Sequence, residues 1–341
     1  VKRESKMAVV IPCFRVSRQI VSVVNSIPAI VDIIVVVDDA CPEGSGKLVA
    51  EKIKDPRIQV LRLKKNLGVG GAVLTGMRHA VQCGADILVK IDGDGQHDAN
   101  YIPFLVEPIM QGKADYTKGN RFYRLENLNE MPGVRIAGNA GLSFLSKLSS
   151  GYWNLMDPTN GFVAIHARVL GQLPLEKISQ RYFFESDMLF RLGTIRAKVT
   201  QVPMPAIYGD EVSGINPAHL LWPMIKWHGT SLGKRFFYNY FLRGFSLASL
   251  YLIFGIILLI LGGVFGLGYW HHYASLGVNA PTGTVMLVVL MIIVGMNFLF
   301  NFLSYDMASE PREVIHSFLP PTFWKPEHNN PDILEFLTPN E

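Results

Sequence analysis

Ile87-Leu88-Val89-Lys90-Ile91-Asp92-Gly93-Asp94-Gly95-Gln96-His97-Asp98 is the stretch from which the fold of this chain can be read. It opens as an apolar, β-branched run, the pattern of a buried strand bounded by a turn. It closes with two carboxylates one residue apart, then an amide, an imidazole and a third carboxylate. Side chains alternate along a strand, so Asp92 and Asp94 point to one face. Gly93 and Gly95 allow a sharp backbone turn and close approach of a ligand. Two converging carboxylates after a strand suit a hard divalent cation, Mg²⁺ or Mn²⁺, held against phosphates. A polar turn is the plainer reading of the same residues.

The segments upstream repeat this plan. Met7 to Phe14 reads as a first strand ending at Pro12, and Ser17 is placed to cap a helix to about Ile27. Asp32 to Asp39 is a second strand, apolar until its terminal acids, as expected where both faces are covered. A helix from Gly44 to Lys54 and a third strand from Ile58 to Leu63 follow. Asn66-Leu67-Gly68-Val69-Gly70-Gly71-Ala72 is a tight connection into a helix from Val73 to Gln82. Alternating strands and helices imply a mostly parallel, Rossmann-like α/β sheet. Ligands of such sheets lie beyond the carboxyl ends of the strands. Pro12, Asp38, Asp39, Asn66, Gly68, Asp92, Gly93 and Asp94 all fall there, which points to a nucleotide site. The glycine loop follows the third strand and lacks a third fingerprint glycine, so it reads as a loop giving a ligand room rather than a dinucleotide motif.

Length and composition set the outer bounds. With 341 residues the chain can bury a real core, and a net charge of +4 with 18% charged residues leaves nucleic acid out as a partner. Three cysteines without C-x-x-C spacing imply no disulfide scaffold or zinc site and fit a reducing compartment. The polar N-terminal residues give no expectation of a signal peptide.

After Ala114 the α/β rhythm breaks. Arg121, Arg124 and Arg135 are cations that nearby acids do not all neutralise, and Asp157-Pro158-Thr159-Asn160-Gly161-Phe162 is a turn into a short strand ending at His166. Arg181 opens a further helix with Glu185 and Asp187 near its start. From Gly244 to Tyr305 there is no Asp, Glu, Lys or Arg. Phe245 to about Leu267 and Val285 to about Leu303 are each long enough for a bilayer core. Lys226, Lys234, Arg235 and Arg243 precede the first span, whereas Gly268 to Thr284 carries no Lys or Arg. The positive-inside rule then puts the N-terminal domain in the cytoplasm. Mixed aromatics and basic residues between His219 and Tyr238 suit a helix in the headgroup layer, the alternative being an ordinary amphipathic helix packed under the N-terminal domain. The tail from Pro320 reads as disordered or draped on a neighbour.

Ile11-Pro12, Asp38-Asp39, Asn66-x-Gly68-x-Gly70, Asp92-x-Asp94-x-Gln96-His97, Gly119-x-Arg121 and Asp157-x-x-x-Gly161-Phe162 occur here in that order. Over roughly Met7 to Asn216 the chain resembles the membrane-bound polyprenyl-phosphate glycosyltransferases of glycosyltransferase family 2, which include dolichyl-phosphate mannose synthase. The resemblance implies a GT-A catalytic domain (1–216), juxtamembrane amphipathic helices (217–243), two transmembrane helices (244–305) and a cytoplasmic tail (306–341). It implies inverting transfer of a hexose from a nucleotide-sugar donor to a polyprenyl phosphate, undecaprenyl or dolichyl, at the cytoplasmic face of a membrane, the bacterial inner membrane first. By the same likeness Asp39 holds the base or ribose, and Asp92, Asp94 and Gln96 hold Mg²⁺ or Mn²⁺ with the diphosphate. Arg121, Arg135 and Asn139 receive the acceptor phosphate. As a mechanistic reading, Asp157 is the candidate to orient the acceptor or take its proton, with a purely structural role in the turn fixed by Pro158 as the alternative. Mannose synthases place an arginine before a Gly-x-Ser-Lys in a covering loop, here Tyr208 to Asn216. Glu211 and Asn216-Pro217 stand there instead, which favours UDP-glucose over GDP-mannose. A homo-oligomer is left open. The rivals are a GDP-mannose-using synthase and a non-catalytic nucleotide-sugar-binding scaffold; a processive polysaccharide synthase and a dehydrogenase have less in their favour.

Overall fold

The apolar runs become a single sheet in a computed structural model that describes residues 5–123, 133–205, 217–321 and 334–337. Strands β1 (Met7–Cys13), β2 (Ile33–Asp38), β3 (Ile58–Leu63), β4 (Ile87–Lys90), β5 (Tyr116–Asn120), β6 (Val163–His166), β7 (Val199–Pro203) and β8 (Leu334–Leu337) lie in the order β7-β5-β6-β4-β1-β2-β3-β8. β6 and β8 run against the rest. Alternation along β1 and β2 sends Val10, Val35 and Val37 into one core layer and Val9, Ile11 and Val36 into the other. Both faces are therefore buried, which explains why these strands are continuously apolar. The chain moves outward from β1 through β2 to β3, then returns to place β4 on the other side of β1. The strand order reverses between β1 and β4, and a ligand crevice belongs at that reversal.

The helices depart from expectation at their ends. Helix α1 spans Ile20–Asn25, without a side-chain cap, because Ser17 Oγ instead donates to Glu43 Oε2 at 2.6 Å. Helix α2 spans Ser45–Lys52, and α3 runs Val69–Gln82, starting earlier than expected. Gly70 and Gly71 lie inside its first turn, where a Cβ on Gly70 would stand 2.6 Å from the Ser179 carbonyl oxygen. The glycines thus admit a neighbouring backbone, and Gly70 N donates to Gln180 O at 2.9 Å. Helices α4 (Ile102–Met110), α5 (Gly133–Ser150), α6 (Ala167–Leu170) and α7 (Phe184–Ile195) follow along the chain, and then α8 (Pro217–Phe237).

Two compact units divide the chain, one of residues 1–232 with 311–341 and one of 233–310. The tail thus belongs partly to the first unit. Ile315 N and His316 N donate to the Asp115 carboxylate at 2.9–3.0 Å, His316 Nδ1 lies 2.8 Å from it, and Arg168 donates to Leu319 O. β8 adds to the outer edge of β3. The rest of the tail, residues 322–333 and 338–341, lies outside the described residues. The tail expected to be disordered or draped begins at Pro320, and among its described residues Leu334–Leu337 lie along β3.

His228 of α8 is buried and its Nδ1 lies 2.8 Å from Ser149 Oγ on α5. Burial pulls it down to about 4, and burial likewise brings His166 down to about 4. The unfolded chain takes up protons at these imidazoles below about 6.5, while the fold resists until about 4. Stability should therefore fall as pH drops through that window, by at most about 1.4 kcal/mol per pH unit for each group. Thermal unfolding between pH 7 and 5 checks this: His228→Gln, whose amide can still meet Ser149, should show a shallower decline than wild type.

The second unit is a helical hairpin. Helices α9 (Leu247–Leu276) and α10 (Thr282–Ala308) are long and apolar enough to cross a membrane, with mean hydropathies of 2.6 and 2.4. They exceed the expected spans because capping, not hydropathy, ends them: Gly277 adopts φ +66 after α9, and Pro281 precedes α10. Gly255, Gly262 and Gly266 face Leu299, Ile292 and Val288, where a Cβ would come within about 3 Å, so the helices pack closely. Arg235, counted among the flanking cations, is buried and forms a bidentate pair with Asp306 at 2.7 and 2.9 Å. Tyr240 donates to the same carboxylate.

Candidate active site

The crevice at the β1/β4 reversal is a cavity of about 320 Å³, at the small end for ligand sites. Pro12, Asp39, Asn66, Gly68, Asp92, Gly93 and Asp94 all line it, so seven residues from four strand ends meet there. Cys13, Phe14, Val16, Val69, Ala72, Arg181 and Tyr182 complete the wall. Those seven were missed from sequence, since none stands in a charged motif at a strand end.

Asp38 is placed differently from the expectation. Its Oδ1 accepts from Cys41 N at 2.6 Å and its Oδ2 from Gly46 N at 2.8 Å, and it does not line the cavity. As the last residue of β2 it points away from its neighbour, so the buried carboxylate holds the turn into α2. Gly46 has to be glycine, because a Cβ would stand 2.6 Å from Asp38 Cβ. Asp39 lines the cavity but also accepts from Leu67 N at 2.7 Å and Gly68 N at 2.8 Å. Burial pushes its carboxyl above the usual carboxylate range, and those two amides and the Arg181 charge pull against this. Asp39 therefore pins the glycine loop across the crevice.

Asp92 and Asp94 follow β4. Asp94 Oδ1 accepts from Gln96 N at 3.0 Å, a tight turn that the glycines permit. Gln96 thus meets Asp94 through its backbone, and its side chain is not part of the cavity wall. Below the floor lies a set of charges that sequence reading left unassigned. Lys90 is buried, with Nζ 3.0 Å from Asp92 Oδ1 and 3.1 Å from Glu185 Oε1. Burial alone would lower its pKa, but Asp92 and Glu185 outweigh that and raise it. For Asp92 burial acts upward, and Lys90 followed by His97 brings the carboxyl below its usual value. His97 stacks on Phe162, its Nδ1 is 3.8 Å from Asp92 Oδ2, and burial depresses its pKa. Lys118 is fully buried, donates to Asn160 O, and is brought down by burial to about 8. A lysine inside an apolar β run, as in Leu88-Val89-Lys90-Ile91, was the available signal for this layer.

Arg121 and Asp157, both expected at the acceptor, are paired with each other. Arg121 Nε donates to Asp157 Oδ2 at 2.8 Å and Nη2 to Oδ1 at 3.1 Å, and the Arg121 amide also reaches Oδ2. Both carboxylate oxygens of Asp157 are thus engaged by one guanidinium. Arg135 and Asn139 lie on α5, but their side chains are outside the described residues, as are Arg124 and the expected covering loop from Tyr208 to Asn216.

The spacing Asp157-x-x-x-Gly161-Phe162 has a steric reason. A Cβ at Gly161 would stand 2.3 Å from Asp92 Oδ2 and 2.5 Å from Lys90 Nζ. Gly161→Ala should displace Asp92 and lower turnover roughly 10–100-fold, the range seen when support for a site ligand is lost. Overpacking costs about 1–3 kcal/mol, read by thermal unfolding.

The donor set can be tested against a divalent cation. Among the described residues no group of three or more His, Cys, Asp or Glu side chains could hold one unaided. Asp92 and Asp94 supply hard oxygen ligands on one cavity wall, which fits Mg²⁺ or Mn²⁺ bound by one or two carboxylates while substrate phosphates supply further oxygens.

Comparison with known proteins adds to this geometry. Residues 8–173 match the sequence model of the family described as glycosyl transferase family 2. The chain is 29% identical over 215 residues to a UDP-N-acetylglucosamine–dolichyl-phosphate N-acetylglucosaminyltransferase of Methanococcus voltae, covering 59% of this chain and 85% of that one. It is 32% identical over 173 residues to an undecaprenyl-phosphate mannosyltransferase of Micrococcus luteus, covering 50% and 70%. Among solved structures, glucosyl-3-phosphoglycerate synthase from Mycobacterium tuberculosis, crystallised with Mn²⁺, UDP and glucosyl-3-phosphoglycerate, aligns with a TM-score of 0.50 at 21% identity. That alignment covers 68% of this chain and 80% of the synthase, and it is a likeness of fold.

Proposed function

We propose that this chain, which belongs to glycosyl transferase family 2 and is a glycosyltransferase, moves a hexose from a UDP-sugar, UDP-glucose first, to a polyprenyl phosphate at the cytoplasmic face of a membrane. The observation that carries the reading is the convergence of Asp39, Asn66, Asp92 and Asp94 in one cavity at the β1/β4 reversal. The names of the relatives from Methanococcus voltae and Micrococcus luteus support a polyprenyl-phosphate acceptor. The two apolar helices support a membrane setting. The names also keep N-acetylglucosamine and mannose in play as the sugar.

In this reading an oxygen of the acceptor phosphate attacks the anomeric carbon, the bond from that carbon to the diphosphate breaks, and nucleoside diphosphate leaves with inversion. A phosphate monoester has a second pKa near ~6, so it is largely dianionic at pH 7 and needs no strong base. A cation bound at Asp92 and Asp94 would act as a Lewis acid toward the diphosphate. The chain's own task is to bring two anions together. Arg121, oriented by Asp157, presents a guanidinium to the acceptor phosphate, and Arg135 and Asn139 serve the same phosphate. Asp157 then acts by aiming Arg121, since both its oxygens are engaged. Confinement of enzyme and lipid to one surface raises their effective concentration.

The test is transfer of radiolabelled sugar into extractable lipid by purified protein, with UDP-glucose, UDP-N-acetylglucosamine and GDP-mannose as donors. A labelled lipid from one donor, abolished by chelator and restored by Mn²⁺ or Mg²⁺, is expected. Nucleotide binding without product from any donor would favour a non-catalytic scaffold.

A further inference from the structure

We infer that the buried Lys90–Glu185 pair is a positioning device for Asp92, which sets how strongly a divalent cation is held at the nucleotide cavity. The inference rests on the proposed use of Asp92 and Asp94 as cation ligands. Lys90 stands two residues before Asp92, so strand alternation puts both on one face. Its side chain is 1% exposed, and its ammonium lies between Asp92 and Glu185, within 3.0 and 3.1 Å. Glu185 arrives from the first turn of α7, 95 residues further along.

An ammonium without partners in this position would be prohibitively desolvated, so Lys90 has to keep carboxylates against it. Asp92 is held from several sides. Lys90 reaches both its oxygens, at 3.0 and 3.2 Å. His97 Nδ1 stands 3.8 Å from Oδ2, and Gly161 packs so close to that oxygen that an added Cβ would stand 2.3 Å from it. The orientation of Asp92 toward the cavity is therefore set before any cation arrives.

Charge sharing gives Glu185 a distinct role. Lys90, with the nearby Lys118, faces both Asp92 and Glu185, so Glu185 draws off part of the positive field and Asp92 keeps part of its negative field for a cation. If Glu185 is made neutral, Lys90 interacts with Asp92 alone and opposes a second cation there. Glu185 thus acts through Lys90 and Asp92, without reaching the cavity wall itself.

The experiment is Mn²⁺ binding to the full chain in detergent micelles with UDP present, followed by electron paramagnetic resonance and calorimetry without turnover. Glu185→Gln, which keeps a hydrogen-bond acceptor for Lys90, should weaken Mn²⁺ binding about tenfold. Glu185→Asp should recover part of the loss. The charge-balanced pair Lys90→Met with Glu185→Gln should bind Mn²⁺ more weakly than wild type and turn over about tenfold more slowly, because Asp92 loses the support that fixes its orientation. Unchanged Mn²⁺ affinity in Glu185→Gln, with only a lower unfolding temperature, would overturn the inference and leave a structural pair. If Glu185→Gln does not fold, unchanged turnover and Mn²⁺ affinity in the charge-balanced variant would overturn it instead. Failure of the wild type to bind Mn²⁺ with UDP would overturn the cation reading itself, and this inference with it.

Discussion

Asp94→Asn is expected to reduce sugar transfer by about 10²–10³-fold, equivalent to about 2.7–4 kcal/mol of transition-state stabilisation. The variant removes a charge with little change of shape. Asp94 Oδ1 accepts from Gln96 N at 3.0 Å, and the amide oxygen of Asn can do the same. The turn after β4 should therefore persist, and thermal unfolding should move little. What is lost is a carboxylate at the wall where the donor diphosphate is proposed to lie. A cation there would be held by at most two side-chain carboxylates plus substrate oxygens, so losing one would weaken the site severely. Turnover measured at rising Mn²⁺ separates the effects: higher metal should recover part of the activity if Asp94 is a ligand. A variant that transfers sugar as fast as wild type at every metal concentration would remove Asp94 from the reaction.

Asp157→Ala should lower both stability and turnover. The Asp157 side chain is fully buried while Arg121 keeps 28% of its side chain exposed. Breaking a buried pair by removing one partner costs about 3–5 kcal/mol, and the exposed part of the guanidinium puts this pair at about 3 kcal/mol. The guanidinium would also lose its orientation, so turnover should fall and the acceptor KM should rise, with the donor KM little affected. Asp157→Asn, which fits the same space and accepts one bond, should lie between. Two outcomes distinguish aiming from proton transfer. If Asp157 acts through Arg121, then Arg121→Ala, Asp157→Ala and the double variant lose similar activity, because coupled residues are not additive. A general base would instead make turnover of Asp157→Asn climb steeply with pH where wild type is flat.

Much of this protein is legible before folding is considered. The continuous apolar, β-branched character of Val9-Val10-Ile11 and Ile34-Val35-Val36-Val37, with acids at strand ends, is a local property of the chain. It predicts the parallel sheet and brings Pro12, Asp39, Asn66 and Asp92-x-Asp94 to one edge, where the cavity lies. The long uncharged run after Gly244 likewise predicts two apolar helices from composition alone. Element ends were less legible, because capping chemistry decides them: Ser17 turned to Glu43, and Gly277 with Pro281 bounded a shorter turn than hydropathy suggested.

The pairings were decided only by tertiary structure. Asp38 and Asp39 are adjacent acids with the same composition around them, yet one holds the turn into α2 and the other pins the glycine loop, because successive strand residues face opposite ways. Nothing local says that Arg121 meets Asp157, that Lys90 meets Glu185, or that Asp115 receives His316 from 201 residues away. Each brings together groups from separate elements whose burial is tolerable only when the opposite charge or a hydrogen-bond donor arrives with them. The sequence by itself determined the sheet, the acid-rich edge and the apolar hairpin through continuous apolar runs and their punctuation; which charge faces which was left to the packing that desolvates them.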